Sequence, residues 1–211
     1  MIYLFDFDGT LVDSMPTYIS VMRRILEENG GTFLDEMVKR ITPLGYVGTA
    51  RYYAEELGIQ KSEEELIADM HRYAVAEYRH RVPAKTGVVE ALQVLKQRGD
   101  DLNILTASPH AALDPCLERL GIYGLFTNVW SCEDFGTTKA DPAIYRMAAQ
   151  CLGASVEQVI FVDDNYNADA TAKEAGMTVY GIYDESSREY EDRIRSITDR
   201  YLRCFEEILE A

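Results

Sequence analysis

The chain has few cysteines, and they are scattered. Its 211 residues carry four, Cys116, Cys132, Cys151 and Cys204, with no Cys-x-x-Cys and no histidine at zinc-ligand spacing. That argues against a disulfide scaffold and against structural zinc, and points to free thiols in a reducing compartment. No apolar run approaches the roughly 20 residues a membrane-spanning helix requires. Met1 leads directly into an apolar strand, leaving no room for a signal peptide, so a cytoplasmic location is expected. Basic residues are also scarce: 21 Lys and Arg against 36 Asp and Glu give a net charge of −15. Such a surface repels nucleic acid and anionic membrane, so neither is expected as a partner. It also repels anionic small molecules at long range, so a site for one would need a cation of its own. Repeats and low-complexity segments are absent too. What remains, 47% hydrophobic and 27% charged, is an ordinary globular chain long enough for one domain with an insertion.

The spacing predicts a short strand at the N-terminus, then helical pattern to about Arg81, broken at Gly30-Gly31, at 42–45 and at Gly58. Ser14-Met15-Pro16 has the form of a helix start. From Pro83 helices and strands alternate. Leu102–Leu105, Phe126–Trp130, Val159–Val162 and Met177–Ile182 read as strands, and the 88–98 helix closes at Gly99. Short apolar strands separated by helices predict an α/β fold, a doubly wound, parallel, five-stranded Rossmann-like sheet with a small inserted four-helix cap. The core is expected to comprise 1–14 and 82–211, and the cap 15–81. The tail from Glu185 reads as one helix, with Ile194, Ile197, Tyr201, Phe205 and Leu209 on a packing face.

Chemistry concentrates where strands end. Ile2–Phe5 runs into Asp6, Phe7, Asp8, Gly9 and Thr10, two carboxylates two residues apart followed by a turn glycine and a hydroxyl. Open α/β sheets bind their ligands at such carboxyl ends. An aspartate there can act as a nucleophile and form a covalent intermediate, and a second can shuttle a proton. Asp6 and Asp8 are the candidates for those two roles. Thr106, ending the next core strand, and Ser108 can each hydrogen-bond a phosphate or cap the following helix. Asp163 and Asp164 end the 159–162 strand and offer hard oxygen ligands of the kind Mg²⁺ takes.

The run from Asp6 to Ser14, followed in order by Thr106, Lys139 and the Asp163-Asp164 pair, resembles the haloacid dehalogenase superfamily over residues 1 to about 183. Within it the chain is most similar to the helical-capped branch that contains phosphoglycolate phosphatases. The resemblance implies an Mg²⁺-dependent phosphatase acting on a small-molecule phosphate ester, as a monomer or homodimer. It makes Asp6 the nucleophile and Asp8 the acid/base group whose backbone carbonyl also ligates the metal. Lys139 would bridge the nucleophile and the substrate phosphate, Asp164 would ligate the metal directly, and Asp163 would act through water. Thr10, Ala107 and Ser108 are expected around the phosphate. Relatives often carry a further acid at the position of Ala168. Asp169, one residue later, is assigned to a solvated helix face, and Asn167 is a candidate for indirect support of the metal.

The 43–49 segment is expected to be a specificity loop, with Gly45 and Gly48 admitting the substrate and Arg51 anchoring a carboxylate or distal phosphate. Phosphonate-cleaving relatives carry a lysine where this chain has Gly48. Sugar-phosphate mutases tend to have valine and histidine where it has Thr10 and Tyr18. Phosphatase is therefore the leading expectation. A β-phosphoglucomutase-like mutase is the same-fold alternative, and a catalytically idle binding protein the alternative of another class.

Overall fold

The computed structural model describes residues 1–210. Contacts divide the chain into two units, one built from Met1–Asp13 and the chain from Pro83 onward, the other from Ser14–Val82.

In the first unit, strands β1 (Ile2–Phe5), β2 (Asp101–Thr106), β3 (Asn128–Ser131), β4 (Val159–Asp163), β5 (Thr178–Ile182) and β6 (Arg200–Leu202) form one sheet in the order β3-β2-β1-β4-β5-β6. Every neighbouring pair is parallel. Alternate residues serve opposite faces, which is why the strands read as continuous apolar runs. Leu4, Leu105, Phe161 and Val179 join a buried cluster with Ile144, Tyr145, Ala148, Ala168 and Ala172. Phe5 lies among Phe126 and Phe205, at ring-centroid distances of 6.4 and 5.7 Å. Each such buried aromatic contributes about 1.5–3 kcal/mol of transfer free energy.

The sheet has six strands, one more than expected, and the tail is not a single helix. After a 3₁₀ segment (Glu185–Tyr190) and a short helix (Glu191–Ile197), the chain extends as β6 and ends in a second 3₁₀ segment, Phe205–Glu210. Leu202, Phe205 and Ile208 are buried along with Ile194, whereas Ile197, Tyr201 and Leu209 of the expected face are only partly so, and the tail packs with a different phase. Three-residue edge pairing with β5 carries the middle of it.

In chain order the helices are α1 (Met15–Glu28), α2 (Met37–Ile41), α3 (Gly45–Arg51), α4 (Glu63–His80), α5 (Val88–Gln97), α6 (His110–Arg119), α7 (Cys132–Phe135), α8 (Pro142–Cys151), α9 (Tyr166–Ala175) and α10 (Glu191–Ile197). The first four make up the second unit. There α1 buries Val21, Met22, Ile25 and Leu26 in a cluster with Ile41, Tyr53, Leu66 and Met70. The buried Tyr53 hydroxyl donates to the Met22 carbonyl at 3.0 Å. Ser62 and Glu65 form a capping box that starts α4 and is worth about 1 kcal/mol.

The expected specificity loop is mostly helical. A 3₁₀ turn at 42–44 passes directly into α3, and π-type hydrogen bonding carries the helix on to Glu56. Gly45, at φ 61°, makes the change of direction. Gly48 lies inside α3, where an added Cβ would sit 2.8 Å from the Leu44 Cβ, so its smallness serves local packing.

Candidate active site

The sheet register assembles the site. The Asp6 amide donates to the Val162 carbonyl at 2.9 Å, extending the β1–β4 ladder and setting Asp6 beside Asp163. Beyond Asp6 the chain turns back, with the Leu11 and Val12 amides donating to the Phe7 carbonyl and the Gly9 amide to the Val12 carbonyl. Gly9 adopts φ 78°, and a Cβ there would lie 2.6 Å from the Asp164 carboxylate. Only glycine permits both that turn and that approach.

Asp6, Asp163 and Asp164 are buried, and one carboxylate oxygen from each lies within 4.8 Å of the others. The Lys139 ammonium donates to Asp6 Oδ1 and, at 2.8 Å, to Asp163 Oδ2. Burial pushes the Asp6 carboxyl up to about 7, against the pull of Lys139. Burial also raises Asp164, reinforced by Asp163 and Asp6. Burial would lower the lysine, but its two carboxylate partners outweigh it and hold Lys139 above the ordinary ammonium range. One buried cation thus faces several buried carboxylates. The excess negative charge, carried on hard oxygen donors, fits a divalent cation such as Mg²⁺. Asp6, Asp163 and Asp164 would hold it.

Two hydroxyls expected around the phosphate are engaged elsewhere. Thr10, fully buried, donates to Asp164 Oδ1 at 3.0 Å because the Gly9 turn carries it back beneath that carboxylate. Ser108 donates to Asp8 Oδ2 at 2.5 Å. The Thr106 hydroxyl, at the end of β2, accepts from the Ser108 amide at 3.1 Å. Ala107 is exposed and lines a groove of about 400 Å³ with Cys132, Glu133, Gly136, Thr137 and Thr138. Asp141 caps α8 just after Lys139, accepting from the Ala143 amide at 2.9 Å.

His110, the first residue of α6, bridges two carboxylates, Nδ1 to Asp114 and Nε2 to Asp134, each at 2.9 Å. Both partners raise its pKa, Asp114 more than Asp134. A raised histidine stabilises the fold fully below its unfolded value of about 6.5, and that contribution fades as pH rises through the folded value. His110→Asn is therefore expected to lower the melting temperature more at pH 5.5 than at pH 8.5. The bridge is partly exposed and should be worth under about 1 kcal/mol. Equal losses at both pH values in thermal melts would refute it.

Two residues of the site had no sequence-based assignment to it. Asp169 does not lie on a solvated face: it is fully buried, and neither carboxylate oxygen has a hydrogen-bond partner. Burial pushes its carboxyl well up, with Asp163 and Asp164 adding to the shift. Asn165 caps α9 through the Asn167 and Ala168 amides, fixing a helical phase that turns Ala168, Asp169, Ala172 and Ala175 inward. Asn167 is exposed and is not part of the site. The second is Lys85, whose ammonium donates to the Gly9 carbonyl, to the Tyr183 carbonyl at 2.7 Å and to Asp184 Oδ2 at 2.9 Å. It fastens the Asp8-Gly9 turn to the chain leaving β5.

Gly45, Gly48 and Arg51 belong to the other unit. Arg51 is exposed and pairs with Glu63 at 3.5 Å. Among the described residues no helix is long and apolar enough to cross a membrane. The four cysteines are free, Cys116 and Cys132 buried, Cys151 and Cys204 exposed.

Comparison with known proteins agrees with this geometry. Over 180 residues the chain is 27% identical to a phosphorylated carbohydrates phosphatase of Thermotoga maritima, covering 85% of this chain and 83% of that one. It is 29% identical over 185 residues to a phosphoglycolate phosphatase of Rhodospirillum rubrum, covering 83% and 76%. A Thermotoga maritima structure assigned to β-phosphoglucomutase superposes with a TM-score of 0.84 at 25% identity, covering 99% of this chain and 96% of that one. The model of the haloacid dehalogenase-like hydrolases matches residues 1–176. With that match, and with Asp6 and Asp8 in their turn, the chain belongs to the haloacid dehalogenase-like hydrolase family.

Proposed function

We propose that this hydrolase is an Mg²⁺-dependent phosphomonoesterase that cleaves a small phosphate ester through an aspartyl-phosphate on Asp6. The observation that carries the reading is Lys139 held between Asp6 and Asp163 beside the buried carboxylate cluster. An Asp6 oxygen attacks phosphorus while the bond from phosphorus to the ester oxygen breaks, and Asp8 delivers a proton to the departing alkoxide. Asp8 then takes a proton from water as the water oxygen attacks phosphorus, and the bond to Asp6 breaks, releasing inorganic phosphate. Lys139 keeps Asp6 aligned and offers positive charge to the transferring group, and Thr106 and backbone amides nearby supply hydrogen bonds. Bound Mg²⁺ would neutralise charge on the phosphoryl oxygens. Residues 15–81 are taken as an inserted cap domain on a core of 1–14 and 82–211.

The relatives named for phosphoglycolate and for phosphorylated carbohydrates favour a small hydroxy-acid or sugar phosphate as substrate. The β-phosphoglucomutase neighbour keeps one rival reading open, transfer of the phosphoryl group back to a sugar. Phosphate release from a panel of such esters, with Mg²⁺ and with EDTA, separates them. Metal-dependent release from one or a few esters is expected. Release from none, with isomerisation of a sugar phosphate that requires a bisphosphate primer, would establish the mutase.

A further inference from the structure

We propose that Ser108 is the positioning residue for the proton-transferring carboxylate Asp8, and not a ligand of the substrate phosphate. This rests on the phosphatase reading above. Asp8 stands on a turn after the last paired residue of β1, so its carboxylate plane is not fixed by the sheet. Ser108 supplies a fixed point from another element. Its hydroxyl donates to Asp8 Oδ2. The serine is itself held, since its amide donates to the Thr106 hydroxyl at the end of β2. Two residues further on, His110 anchors the start of α6 through Asp114 and Asp134, and Asp134 also accepts from the Ser131 amide at the end of β3. The support of Asp8 thus runs from its own strand across β2 to β3.

A hydroxyl committed to one carboxylate oxygen sets the orientation of the other. That matters most when the leaving oxygen is a poor leaving group that must be protonated as the P–O bond breaks. An alkoxide needs that proton; a nitrophenolate leaves without it. Loss of Ser108 should therefore be felt in proportion to leaving-group basicity. A residue that bound phosphate, or merely held the fold, would act on all esters alike.

The test compares wild type, Ser108→Ala and Ser108→Thr on p-nitrophenyl phosphate and on alkyl phosphates such as glycerol phosphate, with Mg²⁺. For Ser108→Ala we expect kcat/KM, which is set by phosphoryl transfer from the ester and not by the later attack of water that all esters share, to fall about 10- to 100-fold on the alkyl esters, a share of the range general acid catalysis supplies. The fall on the nitrophenyl ester should stay below about threefold on the same reasoning. Ser108→Thr, which keeps the hydroxyl, should restore the alkyl rates. Equal loss of kcat/KM on both ester classes overturns the proposal and would make Ser108 a substrate contact or a structural residue. If wild type hydrolyses no ester of either class, the phosphatase reading itself fails and the assignment of Ser108 falls with it.

Discussion

Asp6→Asn is expected to lower kcat by about 10⁴-fold or more, roughly 5.5 kcal/mol of transition-state stabilisation. The amide keeps the shape of the carboxylate but is far too weak a nucleophile to form the phosphoryl-enzyme. The fold should survive, because Asp6 is held by backbone pairing to Val162 and Lys139 retains Asp163 as a partner. Stability should move opposite to activity. A carboxyl pushed up to about 7 is costly to keep ionised among Asp163 and Asp8 at neutral pH. The metal-free variant should therefore melt at or above the wild-type temperature at pH 8. Phosphate release, acid-quench trapping of labelled enzyme and calorimetry together check this. Turnover within tenfold of wild type would remove Asp6 as the nucleophile.

The second large effect links pH, metal and stability. Asp6 is pushed up to about 7 and Asp164 is raised in the same direction by burial and its carboxylate neighbours, so from about 4 up to the folded value of Asp6 the folded protein holds more protons than the unfolded chain. Stability contributed by these groups is then greatest at low pH and falls as pH climbs through that window. The fall is on the order of a few kcal/mol. Without metal the melting temperature should drop from pH 5 to pH 8, and saturating Mg²⁺ should return most of the loss, because the cation takes the place of the protons. The increment from Mg²⁺ should accordingly be larger at pH 8 than at pH 5. Asp164→Ala should make the metal-free profile shallower, with Asp6 and Asp169 still contributing, and remove most of the increment. His110 contributes a parallel fall with pH that Mg²⁺ cannot restore, so His110→Asn separates the two. Equal increments at both pH values, or an unchanged Mg²⁺ titration in Asp164→Ala, would refute the assignment.

Much of this arrangement was legible in the sequence, because the sheet's strands are short apolar runs and three of them end in the residues of the site. Asp6, Thr106 and Asp163 stand at or beside the ends of β1, β2 and β4, and parallel pairing brings those ends together. What was not legible depended on phase and on partners. Asp169 was placed on the wrong face because the phase of α9 is fixed by the Asn165 cap. The stripe of Ala168, Ala172 and Ala175 carried the same information, since Asp169 lies three residues before Ala172. The 200–202 edge strand was hidden because Ile194, Ile197, Tyr201 and Phe205 also satisfy a helical period. Neither the Ser108 bond to Asp8 nor that of Lys85 to Gly9 has any local signal, since each joins residues far apart in the chain.

The place of β1 in the sheet has a consequence for how the protein is made. It is synthesised before the other five strands of the sheet, yet it lies between β2 and β4, with Ile2 opposite Asp101 on one side and Val159 on the other. During synthesis the apolar run from Ile2 to Phe5 must wait for most of the chain before both its edges are paired. Contacts so distant in sequence slow folding and leave sticky surface uncovered in the meantime. Chains interrupted before β4 should therefore aggregate through this segment, and the carboxylate cluster can form only once β4 is in place.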